Sequence, residues 1–197
     1  MPGELPSDQR KWMEMMREQV GRLYGMVAEL RDLVHLMFSR DLALQTESVV
    51  LADLVEEAWA ALRRGPAQPQ AEIDTDLPAD LPRVRVDRGR TVRTLTSLLF
   101  HARKFRTSGT PRLRGQRRDD TVTLRLEYQG LPLPPAEAQR SLELLYPAFD
   151  RAGHTLNAVG LGLGVLRAVS RCQGADLDFE VGPDGRAVLS LALPVAR

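Results

Sequence analysis

A chain of 197 residues with 43% apolar side chains has material for one hydrophobic core plus an extra element. Its formal net charge of +1 implies no global polyelectrolyte partner, although the arginines concentrated between Arg83 and Arg125 predict a local basic surface. Cys172 is the only cysteine, no apolar run reaches the ~18 residues of a membrane span, and the N-terminus lacks the basic, apolar, small-residue order of a secretion signal. A cytoplasmic chain without a membrane partner is expected.

Pro6-Ser7-Asp8 is a helix start with Ser7 as N-cap, and no proline follows until Pro66. Within this stretch Met13, Met16, Val20, Leu23, Val27, Leu30, Val34 and Met37 alternate spacings of three and four, the a/d seam of a heptad helix. Trp12, Met26 and Leu33 fall at g and Tyr24 and Phe38 at e, a stripe wide enough to meet several helices. The seam predicts an oligomerisation helix, and through it a homodimer; the alternative is a helix lying on its own domain. Gly21 and Gly25 weaken it by about 1 kcal/mol each.

After Ser39-Arg40-Asp41 comes a short connection and a second helix from Ala52 to Arg64, with Leu51, Leu54, Val55, Ala58, Trp59 and Leu62 on one face. Gly65 to Pro69 breaks the chain. The pattern then predicts strands at Glu72 to Asp76 and Arg83 to Val86, and a helix from Asp87, its N-cap, to about Lys104. A hairpin of Pro111 to Gly115 and Thr121 to Tyr128 turns at Arg117 to Asp120. Leu131 to Pro135 bends into a helix ending at Tyr146. A last hairpin pairs Asp176 to Val181 with Ala187 to Leu193 around Gly182-Pro183-Asp184-Gly185. Helices and strand pairs interleave without βαβ regularity, so an α+β two-layer sandwich is expected. Residues 1–48 read as a dimerisation helix with its connection, and 49–197 as the globular domain.

Between the helix ending at Tyr146 and this hairpin lies Val159-Gly160-Leu161-Gly162-Leu163-Gly164-Val165-Leu166, running into the amphipathic Arg167 to Cys172. Glycine at every second position lets the backbone approach a ligand or another segment closely, and the helix that follows offers free amides to an anion. This is a nucleotide-type loop.

In order along the chain, Val49 to Ala58, Arg83-Val84-Arg85-Val86-Asp87, Leu98 to Phe105, Leu145 to Arg151, the glycine loop and Leu189 to Pro194 resemble the catalytic core of bacterial sensor histidine kinases, in the ATPase superfamily shared with gyrases. The resemblance runs from about Leu23 to the C-terminus. It implies an ATP site with magnesium, built here around Gly130, Gly160, Gly162, Gly164, Lys104, Tyr128 and His101. At two of these positions the chain departs from the family. His101 stands where the family's magnesium-holding asparagine precedes Ala-x-Lys-Phe, and Ser97 where its other asparagine stands. Tyr128-Gln129-Gly130-Leu131-Pro132 replaces Asp-x-Gly-x-Gly, so tyrosine takes the place of the adenine-binding aspartate. Magnesium prefers oxygen ligands. Two losses, each of roughly 1.5–3 kcal/mol, weaken nucleotide binding by about two to four powers of ten. A one-residue slip that substituted Glu127 would turn it to the other sheet face. A chain without cofactor is therefore expected, with ATP and magnesium as the alternative, and Tyr128 is placed to fill the adenine pocket with its own ring.

The family's phosphoacceptor histidine precedes an acidic residue and lies on the first of two dimerisation helices; the heptad helix here resembles the second, so the histidine-bearing first helix is expected to be missing. His35, at a b position before Leu36, is the phosphoacceptor candidate, and the reading set against it is a solvated helix residue. His101 lacks a second ligand at metal spacing, and His154 falls in a lid-like segment. The run Arg112, Arg114, Arg117, Arg118 reads as a solvated hairpin face without the interleaved aromatics of a nucleic-acid surface. The expected function is that of a non-catalytic, histidine-kinase-like protein in two-component signalling, working by contact with itself, a histidine kinase or a response regulator. The alternatives are an ATP-binding histidine kinase subunit and a dimeric histidine phosphotransfer protein.

Overall fold

The computed structural model describes residues 43–63, 73–144 and 162–196, together with Gln9, Trp12, Met13, Met15, Met16, Val20, Val27, Leu30 and residues 31–35. Every described residue before position 36 is helical, but an uninterrupted coiled-coil helix is not evident, and seam positions Leu23 and Met37 lie outside the described residues. Met13, Met16, Val20, Val27, Leu30 and Val34 are exposed, as are Trp12 and Met15.

The domain begins with β1 (Thr46–Val49) and α1 (Leu51–Arg63), the latter burying Leu51, Leu54, Val55 and Ala58 as the apolar periodicity requires. β2 (Asp74–Asp76) and β3 (Val84–Asp87) follow. β3 ends in Asp87, which caps α2 (Arg88–Phe105): its carboxylate accepts the Arg90 amide N–H at 3.0 Å. Arg103 and Lys104 sit in the last turn of α2, where cations oppose the helix dipole. β4 (Ser108–Arg118) and β5 (Thr121–Gln129) form the hairpin, turning at Asp119, the one non-glycine with positive φ among the described residues. α3 (Pro135–Arg140) is short and starts on a proline; the expectation of a helix reaching Tyr146 stops at Arg140 among the described residues. α4 (Leu163–Cys172), β6 (Asp176–Val181) and β7 (Arg186–Pro194) complete the chain.

Five strands make one sheet in the order β2-β4-β5-β7-β6, with β2 parallel to β4 and every other pair antiparallel; β1 and β3 form a separate antiparallel pair. This is a mixed-sheet α+β sandwich, as expected. Strict alternation along β5 sends Val122, Leu124, Leu126 and Tyr128 inward and Thr123, Arg125, Glu127 and Gln129 toward the open face. The inward set joins Leu54, Leu95, Leu98, Leu99, Leu177, Leu189 and Leu191 in one core between helices and sheet. Leu33, Val165 and Val169 form a smaller cluster where the N-terminal helix meets α4.

Candidate nucleotide-type site

Two of the residues that depart from the family pattern are brought together by the fold, from the last turns of α2 and the end of β5. His101 is 1% exposed and Tyr128 6%, and the Tyr128 hydroxyl shares a hydrogen bond of 3.1 Å with Nδ1 of His101. The His101 ring lies 4.6 Å from that of Phe105, 5.6 Å from Phe179 and 6.0 Å from Tyr128, centroid to centroid. Burial pushes the Tyr128 phenol well above its ordinary pKa, because the phenolate would lose its hydration among these rings. The phenol is therefore neutral, and the pair is a polar link inside an aromatic cluster.

Beside it lies a cavity of about 20 Å³, walled by Tyr128, His101, Phe179, Leu133, Gly130 and Ala187 among others. That is room for about one water molecule, whereas ligand pockets start near ~300 Å³. The cavity's lining side chains offer neither a carboxylate nor a carboxamide oxygen, so this place does not fit magnesium. Among the described residues no group of three or more His, Cys, Asp or Glu could hold a metal ion. Ser97 is buried on the inner side of α2.

Glu127 is excluded from the cavity by strand alternation. It faces the open side of the sheet, 2.5 Å from Arg186 and 3.6 Å from Arg125, and the Arg186 guanidinium beside it holds its carboxyl below the ordinary value. At this end of β5 it is Tyr128, and not Glu127, whose side chain faces inward.

The glycines divide into three roles. Gly162 is the N-cap of α4 with φ of +96°, a backbone that side-chain-bearing residues avoid. Gly164 already belongs to the first turn of α4, and a Cβ there would lie 2.1 Å from the Glu143 carbonyl oxygen. Its missing side chain admits the neighbouring backbone, so at this position close approach serves packing. Gly130 donates its N–H to the Gly185 carbonyl at 2.9 Å and borders the cavity. Gly160 and His154 lie outside the described residues. Lys104 is exposed, with Nζ 5.0 Å from the Phe105 ring centroid, and His35 is exposed on its helical turn.

Sequence reasoning missed Asp32, Arg90 and Arg93, which join the N-terminal helix to the domain. The two arginines are 58 and 61 residues away from Asp32, and only tertiary structure brings them together.

No family model matches the chain. Among curated proteins it is 31% identical over 182 residues to the sensor protein KdpD of Rathayibacter rathayi, covering 91% of this chain and 20% of that protein. It is 28% identical over 156 residues to the adaptive-response sensory kinase SasA of Prochlorococcus marinus, and 24% identical over 200 residues to the alginate biosynthesis sensor protein KinB of Pseudomonas aeruginosa. It spans 20–40% of the length of these relatives. Among solved structures, Acinetobacter baumannii histidine kinase AdeS matches 99% of this chain and 88% of its own, with a TM-score of 0.69 at 17% identity. The catalytic domain of histidine kinase ThkA matches 77% of this chain and 97% of its own, with a TM-score of 0.60 at 18% identity.

Proposed function

From the premise that this chain carries the ATPase-type domain of sensor histidine kinases, we propose that it is a non-catalytic member acting in two-component signalling by protein contact. One observation supports the reading: Tyr128 and His101, at the positions that the sequence resemblance assigns to the adenine-binding aspartate and the magnesium-holding asparagine, are bonded to each other and border a cavity of only about 20 Å³. Neither residue can be turned outward cheaply, since an exposed Tyr128 would give up burial worth about 1.5–3 kcal/mol and unmake its hydrogen bond.

The contact element is the N-terminal helix. Its described seam residues Met13, Met16, Val20, Val27, Leu30 and Val34 are exposed, and a row of this kind is stable in water when a second helix covers it. A homodimer through this row is the first assembly proposed, and pairing with a histidine kinase's own helices the second. The division of the chain at residues 48 and 49 belongs to this reading. A response regulator is a further partner of the right kind, since ThkA was solved in complex with the response regulator TrrA and shares this fold at a TM-score of 0.63.

A second reading, an ATP-binding subunit, draws on the positive-φ Gly162 at the start of α4 and on the structural likeness to ShkA, solved in complex with AMPPNP. A third, a phosphotransfer protein, draws on the exposure of His35.

Two measurements separate these readings. Sedimentation of the parent chain at micromolar concentration is expected to show a dimer, and Val27→Glu with Leu30→Glu a monomer with the domain's melting unchanged; a monomeric parent that captures no kinase or regulator would overturn the contact reading. Incubation with labelled ATP and magnesium, and separately with a phosphorylated regulator, is expected to leave the chain unlabelled. Label lost in His35→Ala would establish phosphotransfer instead.

A further inference from the structure

The described contact between the N-terminal helix and the domain is centred on a buried charge. Asp32 is 3% exposed. One carboxylate oxygen lies 3.1 Å from Nη2 of Arg93 and the other 3.4 Å from Nη2 of Arg90. Arg90 also reaches Asp87 at 2.8 Å and the Ala43 carbonyl at 3.1 Å, both through Nη1. A single guanidinium thus holds three parts of the chain: the helix, the segment entering β1, and the cap of α2. Next to it Leu33 packs on Val165 and Val169 of α4.

These contacts constrain rotation as well as position. An ionised carboxylate buried without its partners is strongly unfavourable, so the helix is stable only at the angle where Asp32 meets both arginines. At ~100° per residue, Asp32 lies roughly opposite the row Val27, Leu30 and Val34. The domain holds the helix from behind and leaves the exposed row facing away.

We propose that Asp32, Arg90 and Arg93 form a clasp that fixes the rotation of the N-terminal helix on the domain and ties it, through Leu33, to the glycine-loop helix α4. Contacts made by the outward row then bear on α4 through Leu33, since the helix cannot turn without moving that side chain off Val165 and Val169. The inference goes beyond the proposed function: it holds whether or not nucleotide binds.

Distance measurements between nitroxide labels at His35→Cys and Glu180→Cys, in a Cys172→Ser background, test it. The labelled chain is diluted into excess unlabelled chain so that only intrachain distances are read. The clasp predicts one narrow distribution in the parent, its loss in Asp32→Asn, and an intermediate result in Arg93→Gln, whose arginine is the more exposed of the two. Asp32→Asn leaves the Asp87 cap intact, so the domain is expected to melt as the parent does. Faster amide exchange in α4 is expected in the same variant. A broad parent distribution, or a narrow one retained in Asp32→Asn, would overturn the clasp, and unchanged exchange in α4 would overturn its tie to the glycine loop.

Discussion

Tyr128 joins the hydrophobic core with its ring and makes a buried polar contact, to Nδ1 of His101, with its hydroxyl. Tyr128→Phe removes the hydrogen bond alone and is expected to cost about 1 kcal/mol, whereas Tyr128→Ala empties the ring's volume and should cost about 3–5 kcal/mol. Thermal melts of the two variants check this; equal, negligible losses would mean the ring is not part of the core. Asp87 carries a second residue-scale prediction. Burial raises its pKa, but the amide N–H groups of Arg90 and Gln45 and the Arg90 guanidinium outweigh burial and hold it below the ordinary 3.8. Its folded-state value is depressed, so its stabilisation is present above pH 3.8 and lost as pH falls through the lower folded value. The stability gap between the parent and Asp87→Asn should therefore narrow below pH 3.8. His101 and Tyr128 were each legible in the sequence as departures from the family pattern. Their bond to each other was not, because it depends on how the last turns of α2 meet β5 across 27 residues.

The elements with the clearest chemistry were the most legible. α1 and α2 follow their apolar faces and the Asp87 cap, and the β6–β7 hairpin follows its glycine-rich turn. β1 was missed because its four residues, Thr46–Val49, have only Val49 buried and no alternation to betray a strand. The start of α4 at Leu163 was read as loop because glycines argue against a helix, and only the neighbouring Glu143 carbonyl explains why glycine is required inside its first turn. Gly164→Ala accordingly forces α4 and the Glu143 backbone apart, and should destabilise the domain by about 1–3 kcal/mol with no nucleotide present. A denaturant melt measures it. A neutral substitution would show that the glycine is spared for a ligand instead.

At the scale of the whole molecule, a histidine-kinase-type sandwich stands behind a helix whose apolar row faces outward. The architecture was expected from the order of motifs, but the way the helix attaches was not, since a heptad pattern specifies what the seam wants and says nothing of the side opposite it. No helix among the described residues is long and apolar enough to cross a membrane. Fold alone does not settle activity, and the proposed reading turns on the small cavity that Tyr128 and His101 border. Calorimetric titration of the purified chain with ATP and magnesium tests that point most directly. The account predicts no binding up to millimolar nucleotide; a micromolar, magnesium-dependent affinity would contradict it and make the chain an ATP-binding kinase subunit.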